Sequence, residues 1–385
     1  MTTPTGPPLK IGIAGRATYP LLQRRAAVYA EAGHDVHVLS LEADRVPGAT
    51  VHLPRARFGG PLRYLSGLPE TAATLRHLDL DVLDLHGLST YGLYGLLPTR
   101  AAVVATVYGP DLYTAAAESA VIRAGVARVL RRADMVFGST PSIADYARDI
   151  AGVDVSGKLA VRSWGVDVGR IQADGPARRA AVRDELGVAP DVPVVVHARH
   201  ITDLWRPDVI VEAAAALHAR HPGAQVWFVH PEPNAQGRVL LARLEARVAE
   251  LGLGGVVRFL GPRPYDGFLS ILHASDVFVC VGRDDLLAST LLEALAVGLV
   301  PVLSDLPAYR EVIADGVNGM LLPDVTPEAV GAALVDAVGR LDTLRTTWGA
   351  PNAARVREHY DERACTLWMV EQYRTAMQHA ARRRA

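Results

Sequence analysis

Between residues 282 and 323 the chain reads GRDDLLASTLLEALAVGLVPVLSDLPAYREVIADGVNGMLLP. Glu293 interrupts the apolar run LLEALA, eight residues after Asp285. At helical spacing it shares a face with Ser289 and Thr290. The free N–H groups at the start of such a helix, near Ala288, attract phosphate. A carboxylate one turn deeper suits the diol of a sugar or a ribose. Asp284 and Asp285 stand just ahead of the helix, where acids also serve as plain N-terminal caps. From these residues alone, a satisfied structural acid stays open as a second reading of Glu293.

An anion held there needs positive partners, and the composition limits which. Only two of the 40 basic residues are lysines, Lys10 and Lys158. An anion site in the second half must therefore use arginine, histidine or backbone N–H groups. Lys+Arg (40) and Asp+Glu (41) balance to a net charge of −1, which argues against a broad nucleic-acid-binding face. Cys280 and Cys365 have neither metal-ligand spacing nor the look of a disulfide framework. The opening MTTPTGPPLK lacks a signal peptide's apolar core, and no apolar stretch reaches the ~18 residues of a membrane span. The expectation is a soluble, cytoplasmic protein without an integral membrane segment.

The elements that position these groups follow from the hydrophobic pattern. With 385 residues the chain exceeds one ordinary core, and two domains are expected. Short Val/Ile/Leu-rich runs at 10–15, 34–41, 49–54, 81–86, 102–108, 135–139 and 159–164 read as buried parallel strands. Helical patterns at 20–32, 62–77, 115–131 and 141–150 fall between them. A polar, Arg- and Asp-rich stretch over 169–191 reads as an interdomain linker with a short helix at 177–186, and as the hinge for domain closure. Strands resume at 193–198, 224–230, 255–260, 277–281 and 300–304, with helices at 207–220, 236–251, 288–297 and 327–340 between and after them. The expectation is an α/β chain of two Rossmann-like doubly wound parallel sheets, residues 1–168 and 192–355, facing a central cleft. A helical tail at 356–385 follows. Ligands bind such sheets outside the carboxyl ends of the strands.

The 282–323 segment resembles the donor-binding signature of glycosyltransferase family 4, retaining enzymes of the GT-B fold. The family's Glu-x7-Glu pair is matched by Asp285 and Glu293, followed by Gly298, Pro301-Val302, Glu311 and the run Asp315-Gly316-Val317-Asn318-Gly319. AEAGHDVHVLS (30–40), RADMVFGST (132–140), WGVD (164–167), VVRFLG (256–261) and ASDVFV (274–279) extend the resemblance over nearly the whole chain. It implies that the tail crosses back to the first, acceptor-side domain. It also implies a nucleoside-diphosphate sugar as donor, with Glu293 on its ribose and Asp285 on the hydroxyls of the transferred sugar. Backbone at Ala288, Ser289 and Thr290 would hold the diphosphate, and backbone near Arg263 and Pro264 would read the base. The family's G-R-x4-K pattern falls on HARHITDLWRPD: Arg199 takes the arginine position, and the lysine position falls near Trp205 with Arg206 beside it. Arginine brings charge and a bidentate fork there, but not lysine's geometry.

In the first domain, Gly15-Arg16 follows the first strand, and in the family that loop approaches the donor phosphates. Tyr108 replaces the usual histidine, and a phenol is a poor base at neutral pH. Asp111 keeps the family acid, and His86 ends the preceding strand, so these two are the candidates for contact with the acceptor. Asp79-Leu80-Asp81 spells a metal motif of another glycosyltransferase fold but precedes a strand, where a turn is the simpler reading. GIAG (12–15) lacks the dinucleotide fingerprint. Trp164, Trp205 and Trp227 read as packing residues, and Arg382–Arg384 as a solvated helix end. The implied activity is metal-independent, cofactor-free, retaining glycosyl transfer; the Arg-rich, Lys-poor composition points to a small-molecule or natural-product acceptor, with lipid, glycan and thiol acceptors left open. A sugar-nucleotide epimerase or hydrolase of the same fold, and a non-catalytic binding protein, are the alternatives.

Overall fold

The computed structural model describes residues 6–384. The chain forms two compact units. The first runs up to Gly165 and resumes at Glu362; the second is Val166–Asp361.

The first unit is built on β1 (Lys10–Ala14), β2 (Asp35–Leu39), β3 (Thr50–His52), β4 (Val82–His86), β5 (Ala102–Thr106), β6 (Met135–Gly138) and β7 (Leu159–Val161). They form one parallel sheet in the order β3-β2-β1-β4-β5-β6-β7. Every residue of β4 and β5 is buried, as strands covered on both faces must be. The C-terminal helix Glu362–Arg384 belongs to this unit and sinks Met369, Val370, Tyr373 and Ala376 into its core. Fully buried Arg25 lies over the rings of Trp164 and Phe137, 4.5 and 5.3 Å from their centroids.

The second unit carries β8 (Val194–His197), β9 (Gln225–Val229), β10 (Val257–Gly261), β11 (Val277–Cys280), β12 (Val300–Ser304) and β13 (Met320–Leu322). Its sheet is also parallel, in the order β10-β9-β8-β11-β12-β13. The same device starts strands in both units. Asp134, just ahead of β6, accepts the Val103 N–H at 2.9 Å, and Asp276, ahead of β11, accepts the Val194 N–H at 2.8 Å. A buried carboxylate satisfies a strand-end donor that the sheet leaves open.

The structure departs from the sequence expectations in several places. The stretch 169–191 is not a free linker: Val168–Gln172 and Gly175–Leu186 are helices of the second unit, whose core takes in Ile171, Val182 and Val188. Its arginines made it look solvated. Yet Arg183 is 2% exposed and, with Arg179, is paired to buried Asp276. The chain changes unit after Gly165, and the returning helix starts at Glu362 rather than 356, because Ala350–His359 is a separate helix of the second unit. The pattern at 62–77 is two helices, Leu62–Ser66 and Leu68–Leu78, parted at Gly67. The pattern at 115–131 is a wide turn, Asp111–Ala116, followed by the helix Ala120–Arg132, which Ser119 caps. The short strand β13 was not expected. No described helix is long and apolar enough to cross a membrane.

Candidate functional site

The second unit holds a cavity of about 530 Å³ beyond the carboxyl ends of β8 and β9, bordered by the start of the helix Ser289–Val297. Its lining includes Arg199, His200, His230, Arg263, Tyr265, Ser289, Thr290 and Glu293. The helix opens at Ala288, which is extended, and no side chain caps it. Asp285 is therefore not the cap that its position allows. It instead accepts the Leu286 N–H and the Tyr309 hydroxyl, each at 2.8 Å. Buried Leu287 is held at a left-handed φ of 44° just ahead of the helix, a conformation costly for a branched residue.

Arg199 ties the polar side of the cavity together. Its Nη1 donates to Thr290 Oγ1 at 3.0 Å, and its Nη2 lies 3.4 Å from Asp285 Oδ1. The guanidinium rests on Trp205, 3.4 Å from the ring centroid. The residue at the family's lysine position is thus a platform for the arginine. Arg206 takes a left-handed φ of 49° at the start of the helix Pro207–Arg220 and does not line the cavity. Glu293 is 6% exposed, and its Oε1 accepts the Tyr265 hydroxyl at 2.8 Å. Arg263 lines the other side and pairs with Glu185 at 3.3 Å, while Pro264 stands behind it at the start of the helix Tyr265–Ala274.

Burial sets the protonation of the groups around Arg199. Burial, with the Arg199 charge beside it, pushes His200 below the ordinary histidine value, so it is neutral at pH 7. Burial raises the Tyr309 phenol well above its usual value, which keeps it a hydrogen-bond donor to Asp285. His230, 4% exposed, donates from Nδ1 to the Pro231 carbonyl at 2.9 Å. A carbonyl only accepts, so in the neutral ring Nε2 keeps a lone pair. That atom is buried and has no partner within the protein.

The candidates in the first unit form a different kind of cluster. His86, at the end of β4, is 4% exposed and lies between the Tyr108 hydroxyl at 2.5 Å and Asp84 at 3.1 Å. Asp84 also accepts from Thr106 and Tyr373, each at 2.6 Å. Burial works to raise the Asp84 pKa, but the His86 charge and the three hydrogen bonds outweigh it and hold the carboxyl low. Burial pushes Tyr108 well above the usual phenol value. Asp111 is 6% exposed and takes both the N–H (3.0 Å) and the hydroxyl (2.8 Å) of Ser89. It braces the loop after β4. At Gly15 a Cβ would stand 2.6 Å from Leu22 Cδ1 and 3.0 Å from His86 Cβ, so a larger residue there forces its neighbours to shift. Arg16 is exposed and pairs with Glu42 at 3.2 Å.

Asp79 caps the helix Leu68–Leu78 in a left-handed conformation, and Asp81 accepts the Lys10 N–H at 2.8 Å. No group of His, Cys, Asp and Glu among the described residues is arranged to hold a metal. Tyr265, Tyr309, His200 and His230 escaped the sequence reading. Tyr309 stands inside the quoted 282–323 segment, and Tyr265 lies two residues after Arg263. Only the fold reveals that these hydroxyls reach the two acids.

Comparison with known proteins bears on the family and the fold. Residues 22–170 match the family model described as Glycosyltransferase Family 4, and residues 178–344 match the model Glycosyl transferases group 1. The chain belongs to this family of glycosyltransferases, and its fold is GT-B. Among curated relatives, the D-inositol 3-phosphate glycosyltransferase of Nocardia farcinica is 29% identical over 57% of this chain and 48% of its own length. That of Saccharomonospora viridis is 30% identical over 63% of this chain and 58% of its own. The chain thus spans about half the length of the curated relatives it matches. Among solved structures, Thermosynechococcus elongatus sucrose-phosphate synthase aligns over 96% of this chain and 99% of its own, with a TM-score of 0.78 and 17% identity. Anabaena HepE in complex with UDP and glucose aligns over 94% and 98%, with a TM-score of 0.75 and 18% identity. At these identities the structural likeness speaks to the fold.

Proposed function

We propose that this protein moves a glycosyl group from a nucleoside-diphosphate sugar to a hydroxyl of a small-molecule acceptor, with retention at the anomeric carbon. The observation that carries the reading is the joint placement of Arg199, the uncapped helix start at Ser289 and Thr290, and Glu293 around one cavity. A departing diphosphate needs cations and N–H donors at the place where charge develops, and Arg199 with the helix start supplies both. Glu293, oriented by Tyr265, suits the ribose diol. Asp285, fixed by Tyr309, suits the hydroxyls of the sugar. The UDP and glucose in the HepE complex support the same ligand class.

In the reaction the bond from the anomeric carbon to the diphosphate oxygen breaks, and a bond to the acceptor oxygen forms on the same face. The acceptor proton goes to the leaving diphosphate. Tyr108, raised by burial, takes no part as a base at neutral pH. Arg199 and the helix dipole carry the charge, so transfer is expected to proceed without a resident cofactor or metal, and chelation with EDTA is expected to leave the rate unchanged.

The first experiment is thermal stability against UDP-, GDP-, ADP- and dTDP-sugars. A ligand at 100 times its dissociation constant adds about 2.7 kcal/mol. One nucleotide is expected to stabilise the wild type and not Glu293→Ala. Proton NMR of the product then reads the anomeric configuration. Absence of any nucleotide-dependent shift would sink the donor assignment.

A further inference from the structure

The first unit has a cavity of its own, about 580 Å³, outside the carboxyl end of β4. Its walls come from the helices Leu62–Ser66 and Ala120–Arg132 and from the loop that follows His86. Leu65, Leu88, Leu93, Val121, Ile122 and Val126 supply an apolar lining. Leu65 is 52% exposed and Val121 83%, so apolar surface continues to the mouth.

The two hydroxyls nearest β4 have already spent their donors on the protein. Ser89 Oγ donates to Asp111 at 2.8 Å and Thr90 Oγ1 to the Gly87 carbonyl at 3.0 Å. Arg63, the one charged lining residue among those described, pairs with Glu42 at 2.9 Å and donates to the Tyr64 hydroxyl at 3.0 Å. The lone pairs left on the two hydroxyls can accept one hydrogen bond from a ligand O–H.

Gly125 is the second observation. It lies in the middle of Ala120–Arg132, where glycine weakens a helix relative to alanine. Its φ is ordinary, and no atom lies within 4 Å of where a Cβ would stand. Neither backbone conformation nor packing within the protein calls for glycine. The vacant space is the cavity.

We infer that Gly125 holds open a groove for an acceptor with an apolar body and a hydroxyl. The inference rests on the glycosyltransferase reading and names the acceptor class for it. The volume falls in the range of drug-sized ligand sites. The end of the groove at Ser89 and Thr90, just after β4, is where a parallel sheet presents its ligands.

The test measures binding of 2-naphthol and of D-inositol 3-phosphate to the full chain by calorimetry, without nucleotide. Wild type is expected to bind naphthol saturably, and at least tenfold more tightly than the inositol phosphate. Gly125→Phe, which fills the groove, should weaken naphthol at least tenfold while the affinity for the preferred nucleotide stays the same. Val121→Asp, a charge at the exposed mouth, should weaken it severalfold, and it serves should the phenylalanine disturb the helix. No naphthol binding, binding indifferent to both variants, or preference for the inositol phosphate overturns the proposal. Failure of nucleotide binding in the wild type overturns the donor reading instead, and the naphthol arm does not depend on it.

Discussion

Two buried carboxylates, one in each unit, sit among aromatic hydroxyls and opposite charges, yet they are built for different ends. Asp84 is completely buried, and Thr106, His86 and Tyr373 all donate to it within 3.1 Å. Its oxygens are consumed by the protein. Glu293 is nearly as buried, and it takes the Tyr265 hydroxyl, but it borders a cavity together with Arg199 and Thr290. The first arrangement specifies a core. On the proposed reading, the second is pre-organised for a guest. Burial alone does not separate a structural acid from a binding acid; a cavity beside it does.

The sharpest way to break this comparison is to remove each acid's setting and read stability and turnover separately. Asp84→Ala strands three donors and takes an anion from the surroundings of buried Arg25. The expected loss is about 3–5 kcal/mol of stability, the cost of breaking a buried charge cluster. Thermal melting should show a midpoint roughly 10 °C lower. Arg199→Ala should do the converse. Arg199 lines the cavity, so the larger loss is expected in turnover, about a hundredfold or roughly 3 kcal/mol of barrier. A melting curve unchanged in the first variant, or unchanged turnover in the second, would show that the roles are misassigned.

How far this division was legible in the sequence differs between the units. In the second unit, Asp285 and Glu293 could be picked out because their spacing is local: eight residues on one helix and the loop before it. Arg199 came from a pattern at the end of a strand. In the first unit the partners of His86 are 22 residues away in Tyr108 and, through Asp84, 289 residues away in Tyr373. Such contacts are set by strand order and by the returning helix, and no local spacing announces them. The sheets were legible almost strand by strand, since parallel strands buried on both faces are apolar throughout. The linker was misread because buried arginines paired to Asp276 have the composition of a solvated segment.

Acid sharpens the contrast on a scale of about 3 kcal/mol. His197, at the end of β8, is fully buried, donates to the Val279 carbonyl at 3.0 Å, and is pushed down to about 4 by burial. The unfolded chain takes up a proton near pH 6.5 that the folded chain refuses. The stability is therefore complete above about pH 6.5 and is lost as the pH falls toward 4. The Asp84 carboxylate, held low, contributes its own acid loss only below its ordinary value of 3.8. Urea unfolding from pH 7 to 4 should show the decline, and His197→Leu should flatten it. A wild-type profile already flat over that interval contradicts the assignment.

Smaller still is the effect of Tyr265→Phe. It removes one hydroxyl from Glu293 and leaves the ring in place, so about 1 kcal/mol of nucleotide affinity is expected to go, a factor of roughly five. The loss should appear in the dissociation constant of the preferred nucleotide and not in the melting temperature of the free protein. The reverse result would place Glu293 in the same class as Asp84.

The smallest expected effect compares two glycines of the first unit. Gly15→Ala brings a methyl within 3.0 Å of both Leu22 and His86, so it should destabilise the protein and disturb the His86 cluster. Gly125→Ala meets nothing within 4 Å and removes a helix-interior glycine, so it should stabilise by about 0.5–1 kcal/mol, read as a rise of a few degrees in melting temperature. A helix that gains stability from alanine has kept glycine for a reason outside its own packing. If Gly125→Ala instead destabilises, the space beside it is already used by the fold, and the groove loses its strongest support.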